Sequence, residues 1–158
     1  MYAVRHWSVR NADRLEWLYD KFFSLLMHLH PLFRRIGYAR LEAPMAAVER
    51  RIKGLMFDCQ MCGQCILRSC GMACPMNCPK FLRNGPCGGV RPDGGCEVIP
   101  AMRCVWVEAW DGAQRMHDGM VITVVQEPVD QRLGETSSWL RVTREGNRFT
   151  DREDEGAD

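Results

Sequence analysis

All nine cysteines of this chain fall between Cys59 and Cys104, and the flanking segments contain none. Ordinary packing does not gather thiols this way, so three chemistries compete: a disulfide framework, structural zinc and iron–sulfur clusters. Disulfides are disfavoured because the count is odd, no secretory signal is recognisable, and Cys59, Cys62 and Cys65 are spaced to converge on one centre. Zinc usually takes paired C-x2-C knuckles, two thiolates from each. Here the first run is a triple, which offers three thiolates to one centre with a fourth from elsewhere, as in bacterial ferredoxins. The ferredoxin rule puts the fourth cysteine after three intervening residues, where Ser69 stands, and Cys70 follows one later. Prolines that commonly follow a remote ligand occur as Cys74-Pro75 and Cys78-Pro79. Eight thiolates complete two [4Fe-4S] clusters, or one cluster and an all-cysteine zinc site, and leave one cysteine over. His6, His28, His30 and His117 all lie outside the cysteine region, which disfavours mixed Cys/His zinc sites. Iron–sulfur is the favoured reading, with zinc alone the alternative.

The segments from Cys74 through Cys78 and RNGPCGG to Gly89, then Gly95-Cys96-Glu97-Val98, then Cys104-Val105-Trp106, resemble the cysteine-rich methylenetetrahydrofolate reductase C-terminal domain. The likeness runs from about Phe57 to Trp110. It extends to the small iron–sulfur subunit of two-subunit bacterial methylenetetrahydrofolate reductases. The resemblance implies that Cys59, Cys62, Cys65, Cys74, Cys78, Cys87, Cys96 and Cys104 are the metal ligands and that Cys70 is the spare thiol. It implies two [4Fe-4S] clusters here and FAD on a catalytic partner. Analogy with ferredoxin groups Cys59, Cys62 and Cys65 with Cys78, and Cys74 with Cys87, Cys96 and Cys104.

Leu15, Leu18, Phe22, Leu25, Leu26 and Leu29 recur at intervals of three and four, predicting an amphipathic helix from Asp13 to His30, with Asp13 and Glu16 as a capping box. Pro31 ends it or begins the next turn. A second helix is predicted from about Pro44 to Phe57, with Met45, Val48, Ile52, Leu55 and Met56 on one face and Glu49, Arg50, Arg51 and Lys53 on the other. Regular structure should be scarce among the glycine-rich cysteine loops, which metal binding must help to fold. Arg68, Lys80, Arg83 and Arg91 bring positive charge toward an anionic centre, or else form a solvated basic face. Trp106 and Trp110 either pack or shield a cluster. The run MVITVVQ from Met120 to Gln126 reads as one strand, and the apolar stretch from Gln131 to Val142, with Trp139 and Leu140, as a surface for another subunit. The tail from Arg144 is charged and expected to be disordered.

The expected fold class is therefore a small α+β or irregular metal-stapled domain. Helices occupy 1–57, a cysteine-rich metal or iron–sulfur domain 58–110, a short β and docking segment 111–143, and a charged tail 144–158. A formal net charge of +1 gives no footprint for nucleic acid, and no apolar stretch is long enough to span a membrane; the expected location is cytoplasmic. The chain carries no GxSxG elbow, P-loop or HExxH motif and is read as a subunit of an oxidoreductase rather than a catalyst alone. The leading expectation is an electron-transfer subunit for a flavin-containing methylenetetrahydrofolate reductase. The alternative is a non-redox docking module stapled by zinc or a cluster, for a catalytic one-carbon reductase or methyltransferase subunit.

Overall fold

A computed structural model of the chain describes the backbone of residues 2–154 and the side chains of residues 2–146. Six α-helices frame the cysteine loops: α1 (Tyr2–Arg10), α2 (Ala12–His28), α3 (His30–Ile36), α4 (Tyr38–Phe57), α5 (Val105–Ala113) and α6 (Ser138–Asp154). α1 packs on α4 and α5, while α6 lies across α2, α3 and α4. Three small apolar clusters form the core: Leu15, Phe57, Leu67 and Met72 in one, Val9, Trp106 and Ala109 in another, and Leu26, Phe33, Trp139 and Leu140 in the third.

The leucine periodicity does produce α2, but the expected capping box is absent. Neither Asp13 nor Glu16 caps the helix; Glu16 is buried and accepts the N–H groups of His117 (2.7 Å) and Asp118 (3.3 Å). Its carboxylate thus satisfies a distant turn instead of the first turn of its own helix. Pro31 opens α3 at a position whose N–H a helix does not use. α4 starts at Tyr38, six residues before the predicted boundary, and carries Pro44 inside it.

The burial of α4 departs from the predicted face in part: Met45 and Met56 pack against the core and Arg50 and Arg51 are exposed, as expected, but other positions change sides. Ala46, Glu49, Lys53 and Phe57 point inward, whereas Val48, Ile52 and Leu55 are exposed. The reason is electrostatic. Glu49 accepts hydrogen bonds from Lys53 Nζ (2.7 Å), Ser137 Oγ (2.7 Å), Ser138 Oγ and the Trp139 N–H (3.2 Å), and Lys53 also donates to Ser138 Oγ (2.8 Å). Ser137 itself caps α6 by accepting the Leu140 N–H (3.3 Å). A carboxylate at this positively polarised helix end ties α4 to α6. The apolar stripe is left outside, where it borders a groove shared with Leu18 and Phe22.

Among the described residues there is no β-strand; the nearest feature is an isolated bridge between Gly95 and Arg103. The stretch read as a strand instead makes a 3-10 turn over Gly119–Thr123, with Val124 and Val125 exposed. A lone strand has no partner to take its ladder hydrogen bonds, whereas the turn closes them locally, Val121 N–H to Asp118 and Val124 N–H to Val121. Trp139 and Leu140, read as a docking surface, are buried in the chain's own core, with Phe22 edge-on to Trp139 at 4.7 Å. α6 also runs on to Asp154, through much of the segment expected to be disordered; residues 155–158 lie outside the described residues.

α5 was read only as an aromatic run. It is held against the cysteine loops through two glycines: a Cβ on Gly112 would fall within contact of the Gly71 backbone, and one on Gly71 within contact of Ala109 and Ala113. Gly112→Ala should therefore destabilise the protein by about 1–3 kcal/mol. An unconstrained helical glycine would instead gain about 1 kcal/mol on substitution by alanine. Urea denaturation decides between the two signs, and a stabilised variant would disprove the close approach.

Candidate metal centres

Between α4 and α5 the backbone from Asp58 to Cys104 contains only the short 3-10 turns Leu67–Ser69 and Pro75–Asn77, as the glycine content predicts. α4 stops at Asp58 in the left-handed region, φ 54°, which releases Cys59 to the side. The loop of the cysteine triple is clasped from several directions. Gln64 Oε1 accepts the Asp130 N–H (2.6 Å), the Glu135 N–H reaches the Met61 carbonyl (2.8 Å), and Arg83 Nη2 donates to the Gln64 carbonyl (2.9 Å). Gly63, at φ +72°, has no room for a side chain, because a Cβ would meet Leu133 and Thr136.

The structure sorts the eight cysteines into two cavities. Cys59, Cys62, Cys65 and Cys74 line the first; Cys78, Cys87, Cys96 and Cys104 line the second. The lining differs from the grouping drawn from ferredoxin: Cys74, rather than Cys78, stands in the cavity of the triple. The physical reason is the turn Pro75–Asn77, in which the Asn77 and Cys78 N–H groups fold back on Cys74 and Pro75, and Asn77 Nδ2 donates to the Phe57 carbonyl at 3.1 Å. Cys74 enters that turn and Cys78 leaves it, so its two ends face different cavities. At a rise of roughly 2 Å per residue, the two Cα atoms stand only about 8 Å apart along the turn.

Cys70 lines neither cavity. It is fully buried, with its thiol donating to the carbonyls of Ile66 (2.9 Å) and Ala73 (3.0 Å). No histidine lines either cavity: His6 lies 3.3 Å from Glu108, His28 meets the Ser24 carbonyl, His30 meets the Tyr38 hydroxyl, and His117 is exposed.

The two cavities differ in their surroundings. In the first, burial pushes the Cys59 thiol up to about 11 and the Cys74 thiol up to about 12, and neighbouring thiols add to both shifts. Such thiols are protonated at neutral pH, so loading a cationic centre must displace their protons. Burial alone would drive Lys53 toward neutrality, but Cys65 and the Glu49 carboxylate beside it outweigh this and push the Lys53 ammonium up, holding it charged. Tyr19 approaches Cys65 from α2, its phenol pushed up by burial and by that thiol. In the second cavity the Gly89 N–H and Lys80 pull the Cys87 thiol down, and Trp106 forms one wall, its Nε1 donating to the Leu82 carbonyl at 3.0 Å. Trp110 is half exposed and lines neither cavity.

Of the basic residues singled out in the sequence, Arg68 pairs with Asp20 and Asp118 and Arg91 with Asp93, both outside the cavity linings, while Lys80 pairs with Glu97 at the second cavity. Arg83 alone of the four lines the first cavity. Glu49, Lys53 and Ser138 line it too. Sequence reasoning placed Glu49 and Lys53 on the solvent face, and no local signal marked them, because the spacing of charged residues along a helix does not reveal which stripe is buried.

Among the described residues, no three His, Cys, Asp or Glu side chains stand close enough to hold a single metal ion.

A family model described as methylene-tetrahydrofolate reductase C terminal matches residues 38–132, from the first residue of α4 to beyond the second cavity. No curated protein and no solved structure matches the chain. Among the described residues, no helix is long and apolar enough to cross a membrane.

Proposed function

Because the chain belongs to the methylene-tetrahydrofolate reductase C-terminal family, we propose that it is an iron–sulfur accessory subunit that relays electrons to a flavin-containing methylenetetrahydrofolate reductase. The observation that carries this reading is the pair of four-cysteine cavities joined by the single turn Pro75–Asn77. In this reading Cys59, Cys62, Cys65 and Cys74 hold one [4Fe-4S] cluster, and Cys78, Cys87, Cys96 and Cys104 hold the other. Thiolate-bound clusters supply reversible one-electron chemistry, at potentials set by charge, hydrogen bonding and exposure. The residues of this chain provide the rest. Met61, Leu67 and Met76 line the first cavity and exclude water, Trp106 walls the second, and the Pro75–Asn77 turn keeps the two thiolate sets within a short distance of one another. On such a partner, FAD would supply the chemistry that converts 5,10-methylenetetrahydrofolate to 5-methyltetrahydrofolate with two electrons and two protons.

A second reading, a metal-stapled docking module without redox function, is favoured by the exposed stripe of Val48, Ile52 and Leu55 beside the groove of α2 and α4. Metal content separates the two. Protein purified without oxygen is expected to carry about eight irons and eight acid-labile sulfides per chain, with an EPR signal after dithionite reduction. One or two zincs and no labile sulfide would make the electron-relay reading wrong and leave the docking module.

A further inference from the structure

Three basic side chains line the two cavities, and they are not equivalent: Lys53 is paired with Glu49 and Lys80 with Glu97, but Arg83 has no carboxylate partner among the described residues. Arg83 is nine-tenths buried, and of its guanidinium nitrogens only Nη2 has a partner, the Gln64 carbonyl. Nε and Nη1 are shut off from solvent without an acceptor. Guanidinium carries five N–H donors and cannot shed its charge, so burying it unpaired is costly unless an anion arrives. The Gln64 bond pins it to the loop between Cys62 and Cys65, at the wall of the first cavity.

We infer that Arg83 is the redox-tuning residue of the first centre, its free Nε–H and Nη1–H donating to the sulfurs of a cluster bound by Cys59, Cys62, Cys65 and Cys74. The inference rests on the electron-relay reading above and adds a direction to it. Donors and uncompensated positive charge favour the more negative, reduced state and so raise the midpoint potential. In the second cavity the one basic side chain, Lys80, is neutralised by Glu97, so no unpaired cation faces that centre. Electrons on the second centre therefore run downhill into the first.

The test is an EPR-monitored redox titration of the anaerobically purified protein. In the native chain two midpoints should be resolved, the higher belonging to the first centre, which alone survives in Cys78→Ser. In Arg83→Met the higher midpoint should fall by at least tenfold in the reduced-to-oxidised ratio at fixed potential, about 59 mV for a one-electron couple. The lower midpoint should stay in place, and Arg83→Lys should recover part of the shift by restoring charge without the fork. Two loaded centres whose midpoints ignore residue 83 would overturn this inference and leave the electron-relay reading standing. Should Arg83→Met fail to load its first centre, the single-centre variants still decide: a midpoint in Cys78→Ser no higher than in Cys74→Ser overturns the assignment. A native protein with no reducible centre would sink both readings.

Discussion

Cys74→Ser is expected to lose about four of about eight irons, and adding Cys62→Ser should cost no further iron, because both thiols line the same cavity. Cys78→Ser should also lose about four, but combining it with Cys62→Ser should remove nearly all, since these two line different cavities. The ferredoxin grouping predicts the reverse pattern in both double variants, so iron analysis of four proteins is decisive. Non-additivity marks residues that act as one unit, and additivity marks independent sites. Cys70→Ser is the control. Its thiol meets the Ile66, Leu67 and Ala73 carbonyls, a role a hydroxyl can also fill, so iron content should be unchanged. Iron loss in Cys70→Ser comparable to that in Cys87→Ser would overturn the ligand set.

Glu49→Ala should destabilise the protein by about 3–5 kcal/mol, the cost of removing one partner of a buried ion pair. The carboxylate takes four donors, and without it Lys53 would remain as an uncompensated ammonium between α4, α6 and the first cavity, with the Ser137 and Ser138 hydroxyls and the Trp139 N–H also deprived of their acceptor. For a chain of this length the melting temperature should drop by roughly 10 °C, at about 2–4 °C per kcal/mol. Replacing both charges together, Glu49→Leu with Lys53→Met, should recover most of the loss, because an apolar pair carries no desolvation penalty. A loss below about 1 kcal/mol in Glu49→Ala, the range of exposed pairs, would mean that the pair is solvated and that α6 is held by its apolar contacts alone.

Several elements were legible because their signals are local. The leucine spacing of α2, the first-turn proline of α3 and the glycine-rich character of 58–104 each follow from backbone and side-chain preferences that act within a few residues. The strand assigned to Met120–Gln126 failed because β-branching is a local preference, whereas a strand exists only if another strand pairs with it. The outward face of α4 was misread for a related reason. Its apolar stripe is real, but Ser137, Ser138 and the end of α6, some ninety residues away, demand the carboxylate of Glu49 on the opposite side. Trp139 similarly looked like an unpartnered apolar residue until Phe22 and Leu26 were brought beside it.

The sequence by itself determined that a dense thiolate site lies between Cys59 and Cys104, that loops rather than regular elements carry it, and, through the resemblance, which family the chain joins. Those are properties of residue type and short spacing. Tertiary structure alone decided that Cys74 turns one way and Cys78 the other, and that Arg83 rather than Arg68 reaches the first cavity. Each depends on which distant groups close around a loop that has few conformational preferences of its own. The asymmetry between the two cavities, one walled by Lys53 and an unpaired Arg83 and one by Lys80 paired with Glu97, arises the same way, because burial and charge compensation are fixed only when α4, α6 and the cysteine loops pack together.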